Sequence, residues 1–277
     1  MNIANEIPVR RMDFEFPEDM NLVFIEDDPR LSYFFLGSWM MLPHLEPFLI
    51  RTIQEAMLQV KDPVLKEEMK RFCAQEGQHF RQHAKANEVI KQRHKSGPQL
   101  AALEQELSEQ LKLWSVEKSL KFRLAYAEGF ESMTAAGART QMEVGMFDYM
   151  HEPIRSLMFW HIVEELEHRS VCYEAYEQIY GGYFYRLGVG LWAQNHYLKW
   201  CKRFADAMIE SDPETIQRYE TPNLKAKREQ RTKEYVRNVL PKQIATYMPW
   251  YNPRSLALPA KFEVARSEFS IQAVSVQ

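Results

Sequence analysis

The stretch His161-Ile162-Val163-Glu164-Glu165-Leu166-Glu167-His168 decides the fold when it is set against Glu76-Gly77-Gln78-His79. Each contains Glu-x-x-His, which on an α-helix puts a carboxylate and an imidazole on one face, a turn apart. A single Glu precedes each motif. Glu46 lies 30 residues before Glu76, and Glu131 lies 34 before Glu165. Each gap is about the length of two long antiparallel helices, so the chain reads as one two-helix unit used twice. Four helices then bring four carboxylates and two imidazoles together in a bundle core.

One Glu-x-x-His is weak by itself. With eight His in 277 residues, chance supplies roughly one match. The surroundings give the motifs their weight. Leu65, Met69, Phe72, Cys73, Glu76, His79, Phe80 and His83 share one broad helical face. Ile154, Leu157, Met158, His161, Glu165, His168 and Cys172 share another. Both carboxylates therefore sit on apolar stripes, where an uncompensated charge costs several kcal/mol. No Lys or Arg falls on either stripe beside them. Metal binding resolves the conflict, and four carboxylates balance two divalent cations.

The third helix offers Glu128 and Glu131, one turn apart. Glu131 is preferred because it shares a face with Leu124, Ala127, Ala135 and Ala138. His161, one turn before Glu165, is a candidate seventh ligand or a partner of one. His83 is a weaker candidate, and Glu164 is placed to orient a ligating His. The small run Ser132-Met133-Thr134-Ala135-Ala136-Gly137-Ala138 can open a cavity or allow close helix packing. Cys73 and Cys172 read as packing residues, because a hard carboxylate site does not need thiolates.

Composition agrees with an all-α fold. Gly is scarce at 10, and long periodic segments replace alternating strand patterns. Residues 1–28 read as an irregular segment, 29–181 as the metal-binding bundle, 182–240 as flanking helices, and 241–277 as an irregular strap. Pro43 and Pro47 predict a short helix to about Leu42 and a new one from Pro43, which leaves Glu46 in a first turn. Asp62-Pro63 and Asp212-Pro213 read as helix starts, and Ser115 as the cap of the third core helix. The fourth core helix runs from Glu152-Pro153 to Gly181-Gly182.

Several function classes are set aside. A net charge of −3 gives no field for nucleic acid. Three scattered cysteines give neither a disulfide framework nor a zinc ribbon. Residues 183–204 carry too many polar groups to span a membrane. Residues 1–18 lack the apolar run of a signal peptide, so a cytoplasmic setting is expected. No nucleophile elbow, P-loop or dinucleotide fingerprint occurs.

In the order Glu46, Glu76/His79, Glu131, Glu165/His168, the chain resembles the ferritin-like di-iron carboxylate proteins over residues 30–180. The added His161 looks like the extra histidine of the di-iron aryl-amine N-oxygenases. The text around Gly37-Ser38-Trp39, Gly129-Phe130-Glu131-Ser132 and Glu164-Glu165-Leu166-Glu167-His168-Arg169 is similar to a bacterial family labelled predicted metal-dependent hydrolase. The resemblance implies a ferritin-like bundle holding two iron ions, with Mn/Fe or Zn as other occupants.

The first expectation is an oxidase or oxygenase that activates O2 to oxidise a small organic substrate, an amine among the options, with an unknown electron donor. Glu76, Glu131 and Glu165 are its catalytic carboxylates. Glu46 and His79 serve one ion, Glu165 or Glu131 bridges, and His168 with His161 serves the other. A hydrolase that activates water is the alternative, and a non-catalytic iron-binding protein is third. A homodimer is an option. Trp39, Trp160 and Tyr126 are candidates to line an apolar pocket.

Overall fold

A computed structural model describes residues 7–270 and 273–274, and shows an all-α bundle. The first helix, α1 (Pro29–Met57), opens on Asp28, whose side chain accepts from the Leu31 N–H at 3.1 Å, with Pro29 in the first turn. α1 does not break at its prolines, which corrects the expected split at Pro43. Pro43 has no N–H for the Trp39 carbonyl one turn back. Asn87 Nδ2, from the next helix, donates to that carbonyl at 2.9 Å. The helix therefore continues, and Glu46 sits in its interior.

α2 (Pro63–Arg93) starts at Asp62-Pro63 as its capping residues predict. α3 (Gly97–Glu117) lies beside α1, and Ser115 is inside it. The cap of α4 (Leu120–Glu143) is Ser119, which accepts from the Phe122 N–H at 3.3 Å, and not Ser115. The expected fourth core helix is two pieces, α5 (Ile154–His168) and α6 (Val171–Ile179), joined at Arg169-Ser170. α1, α2, α4 and the α5–α6 pair form the core.

The flanking helices are α7 (Tyr183–Ser211), the short α8 (Pro213–Arg218) and α9 (Pro222–Thr246). α7 covers α1 and α4, and α9 lies along α4. The terminal segments are more regular than expected. Val9–Arg10 (β1) pairs antiparallel with Ala273–Val274 (β2). α9 runs through Pro241 to Thr246, and α10 (Phe262–Glu268) packs on α5. The strap and N-terminal segment are thus structured, although residues 1–6, 271–272 and 275–277 lie outside the described residues.

α7 docks where two glycines leave room. A Cβ on Gly37 of α1 would stand 2.5 Å from the Cys201 carbonyl oxygen. One on Gly129 of α4 would stand 2.2 Å from the Gly190 Cα. Both clashes are with backbone, so the helices themselves would have to separate. Gly129→Ala is expected to destabilise the chain by at least about 1–3 kcal/mol through overpacking. Gly77→Ala, whose Cβ meets nothing within 4 Å, should be neutral or stabilising by up to about 1 kcal/mol. Chemical denaturation midpoints of the two variants check the contrast.

Candidate metal centre

The seven expected ligands converge. Glu46 comes from α1, Glu76 and His79 from α2, Glu131 from α4, and His161, Glu165 and His168 from α5. All are buried except His161, which is partly exposed. Two groups of ligand atoms lie within 4.8 Å of one another and share Glu76: Glu46/Glu76/His79 and Glu76/Glu131/His168. Two further groups, His79/His161/Glu165 and Glu46/His83/His161, extend the first end.

The distances define the centre of the cluster. Glu76 Oε1 is 3.4 Å from His79 Nδ1 and 3.5 Å from His168 Nε2. Glu165 Oε1 is 4.0 Å from His79 Nδ1 and 3.5 Å from His168 Nε2. These two carboxylates stand between the imidazoles. Glu131 Oε2 is 3.3 Å from His168 Nε2 and serves that end. The geometry therefore gives the middle place to Glu76 and Glu165, and moves Glu131 out of it.

His161 also belongs elsewhere than expected. Its ring stacks on that of His79, with centroids 4.1 Å apart, and its Nε2 is 3.0 Å from Glu165 Oε1. It sits at the His79 end and not with His168. The cause is helix rise: seven residues separate His161 from His168, about 10 Å along the axis. His83, one turn beyond His79, meets it there, with His83 Nε2 and His161 Nδ1 2.6 Å apart.

The ring nitrogens turned away from the centre are tied to the surrounding protein. His79 Nε2–H donates to Glu164 Oε2 at 3.1 Å. Glu164 in turn accepts from Arg10 Nη1 at 2.9 Å and Trp160 Nε1 at 2.8 Å. His168 Nδ1–H donates to Gln75 Oε1 at 3.0 Å, and Gln75 Nε2 donates to Glu167 at 2.8 Å. Arg10 also holds Glu167 through contacts of 2.6 and 2.8 Å. Such backing fixes each ring and leaves His79 Nδ1 and His168 Nε2 as lone-pair donors facing inward. Arg10 could not be found from helical stripes, because it enters from β1.

Most of the inward-facing atoms have no hydrogen-bond partner among the described residues. Both oxygens of Glu46 and of Glu131 are buried and unpartnered, as are Glu76 Oε1, Glu165 Oε2, His79 Nδ1 and His168 Nε2. Buried polar atoms are seldom left so, and here they face one another. The charge balance shows the same strain. Burial, then the neighbouring Glu76, pushes the Glu46 carboxyl well above its ordinary pKa. Burial and Glu165 raise Glu131 to about 8. Burial alone would raise Glu165, but the neighbouring His161 and His168 imidazoles hold it well below the usual range. Burial lowers the basicity of His79 and His168, but the surrounding carboxylates outweigh it and raise both well above normal. A mixed carboxylate–imidazole set of this kind suits iron, manganese or zinc.

Other expected residues lie apart from the cluster. Glu128 pairs with Arg186 at 2.9 Å, so Glu131 is the α4 residue of the cluster. Phe80 is exposed. Tyr126 turns to His196, with its hydroxyl 3.0 Å from Nδ1. Burial pushes the Cys73 thiol up to about 12 and raises the Cys172 thiol as well, as it does for packing thiols.

A cavity of about 350 Å³ reaches the cluster at His161 and Glu165. Trp39, Leu42, Met133, Gly137, Ala138 and Met158 are among its walls. The small-residue run of α4 thus serves both cavity and packing.

The fold and this cluster define an all-α protein with candidate metal-binding groups in its core. A family model described as predicted metal-dependent hydrolase matches residues 8–256, and the chain belongs to that family. No curated protein and no solved structure matches it.

Glu164→Ala should lower affinity for divalent cations by about 10–100-fold, because it frees the His79 ring. Competition with a chelating dye measures it. Cation binding should also release protons. The Glu131 carboxyl, at about 8, is mostly protonated at neutral pH and must ionise to bind. Loading at about pH 7 should release more protons per ion than loading at about pH 9.5; a pH-indicator titration that finds equal release would contradict this.

Proposed function

We propose that this protein is a metal-dependent hydrolase with a two-cation centre, acting on a small, largely apolar substrate. The observation that carries the metal centre is the set of buried, unpartnered carboxylate and imidazole atoms facing one another, each imidazole held from behind. The family description supports hydrolysis over the oxidative chemistry that the ligand order first suggests.

The residues fit a pair of divalent ions. Glu46 and His79 would hold one, Glu131 and His168 the other, with Glu76 and Glu165 between them. His161 and His83 extend the first end. Bound there, the ions would polarise the bond to be cleaved and make water a nucleophile near neutral pH.

The chain's own residues supply the rest. The apolar walls around Trp39 and Met158 orient the substrate and exclude bulk water. His161 is the imidazole of the cluster that lines the cavity. Burial and then the neighbouring His79 lower its pKa, so it faces the substrate as a neutral imidazole. Glu164 and Trp160 keep the His79 ring in place.

A second reading, O2-dependent oxidation at a di-iron centre, is favoured by the donor set itself. Four carboxylates accompany the imidazoles in a core that opens to an apolar cavity. This reading adds O2 and an electron donor as partners.

A panel of medium-chain nitrophenyl esters separates the two. Hydrolysis restored to the metal-free chain by zinc or manganese, and lost at least 100-fold in His168→Ala, is expected. No hydrolysis with any divalent ion, together with O2 consumption and new visible absorption after ferrous loading, would overturn hydrolysis in favour of oxidation. Cys172→Ala should keep its full metal content.

A further inference from the structure

The flanking helix α7 is apolar on two sides. Inward it lays Gly190, Ala193, Cys201 and Phe204 against the bundle. Outward it exposes Phe184, Tyr185, Leu191, Trp192 and Leu198. Phe184 is 84 % exposed, and the other four are 38–47 % exposed. At 100° per residue all five fall on one side of the helix. The row is about 21 Å long at a rise of 1.5 Å per residue. Single apolar residues on a surface need no explanation, but a contiguous row marks an interaction site.

Charge along this face has one sign. From Tyr183 to Ala205 α7 contains no Asp or Glu. Lys199, Lys202 and Arg203 extend the exposed row at its C-terminal end. Lys202 and Arg203 pair with Asp206 and Glu106 at the border, whereas Lys199 has no carboxylate partner among the described residues. At the other end Lys121 Nζ lies 4.6 Å from the centre of the Tyr185 ring. Lys118 Nζ lies 5.7 Å from that of Phe122, which packs on Trp192 with centroids 5.5 Å apart. Neither lysine has a carboxylate partner among the described residues. Unmatched cations therefore stand at both ends of the apolar row.

We propose that the outer face of α7 docks on the surface of a bilayer that contains anionic phospholipid. Lipid phosphates supply the counter-charge that Lys118, Lys121 and Lys199 lack. A second copy of the chain would bring the same cations to the contact and, from its own α7 face, no acid. Tyr185 and Trp192 suit the headgroup level, where one part of the ring is in apolar surroundings and the other in water. The helix lies along the surface and does not span it, as an amphipathic interfacial helix does. Among the described residues no helix is long and apolar enough to cross a membrane. Leu198 of this face also lines the cavity that reaches His161 and Glu165. Docking sets that cavity beside the bilayer, from which an apolar molecule can pass into it. The docking itself does not depend on the chemistry at the cluster.

Co-sedimentation of the full chain with vesicles tests the proposal. One set is phosphatidylcholine alone, and the other is phosphatidylcholine mixed three to one with phosphatidylglycerol. The chain should bind the anionic vesicles at least about tenfold more tightly than the neutral ones. Phe184→Asp and Leu191→Asp change exposed side chains, so the variants should keep the helical circular dichroism of the unaltered chain. Each should lower affinity for the anionic vesicles at least about tenfold. Lys199→Glu should narrow the difference between the two vesicle types. Val264→Asp, on α10, should leave binding unchanged. Failure to bind either vesicle, equal binding to both, or binding that survives Phe184→Asp and Leu191→Asp would overturn the proposal. Sedimentation velocity separates the other occupant. A dimer that Phe184→Asp dissociates, in a chain that ignores vesicles, would give the face to a second copy instead.

Discussion

Four carboxylates are buried side by side in the middle of this bundle, and much of the structure can be understood as the means of keeping them there. Coulomb repulsion between like charges a few ångströms apart is strong in a low-dielectric interior. The protein does not relieve it with lysines or arginines inside the cluster. Arg10 instead sits behind the ligands, bound to Glu164 and Glu167. Its charge, with that of Arg266 at Glu167, offsets the supporting acids and leaves the inner four to be neutralised by something else. Raised pKa values at Glu46 and Glu131 are the cost in the cation-free chain.

The supporting parts come from distant places in the chain. Arg10 enters from β1, and β1 is held by pairing with β2 at the far C-terminal end. Arg266 of α10 reaches Glu167 at 3.0 Å. The terminal segments therefore close over the same acids that orient His79 and, through Gln75, His168. On the opposite side α9 borders the cavity. The core helices carry the candidate ligands, and the later elements border them.

Much of this was legible from spacing. Two Glu-x-x-His motifs on apolar stripes, each preceded by a Glu at helical-pair distance, were enough to choose the all-α class and a set of candidate ligands that the fold brings together. Glu131 was preferred to Glu128 on its spacing and face, and the Arg186–Glu128 pair shows why both acids can be buried. Other features depend on tertiary contacts that spacing cannot carry. The unbroken α1 depends on Asn87 donating to the Trp39 carbonyl freed by Pro43. The central place of Glu76 depends on side-chain direction across the bundle. His161 shares a stripe with both Glu165 and His168, and only the axial rise between them assigns it to the His79 end. Arg10 lies in a segment with no helical period.

The central claim is that the cluster holds two cations between the imidazoles. Anomalous X-ray scattering from crystals loaded with manganese or zinc tests it most directly. Two peaks per chain are expected, one among Glu46, Glu76 and His79 and the other among Glu76, Glu131 and His168. Crystals that retain the bundle but show no peak there, with the Glu46 and Glu131 carboxylates turned away from the centre, would contradict it.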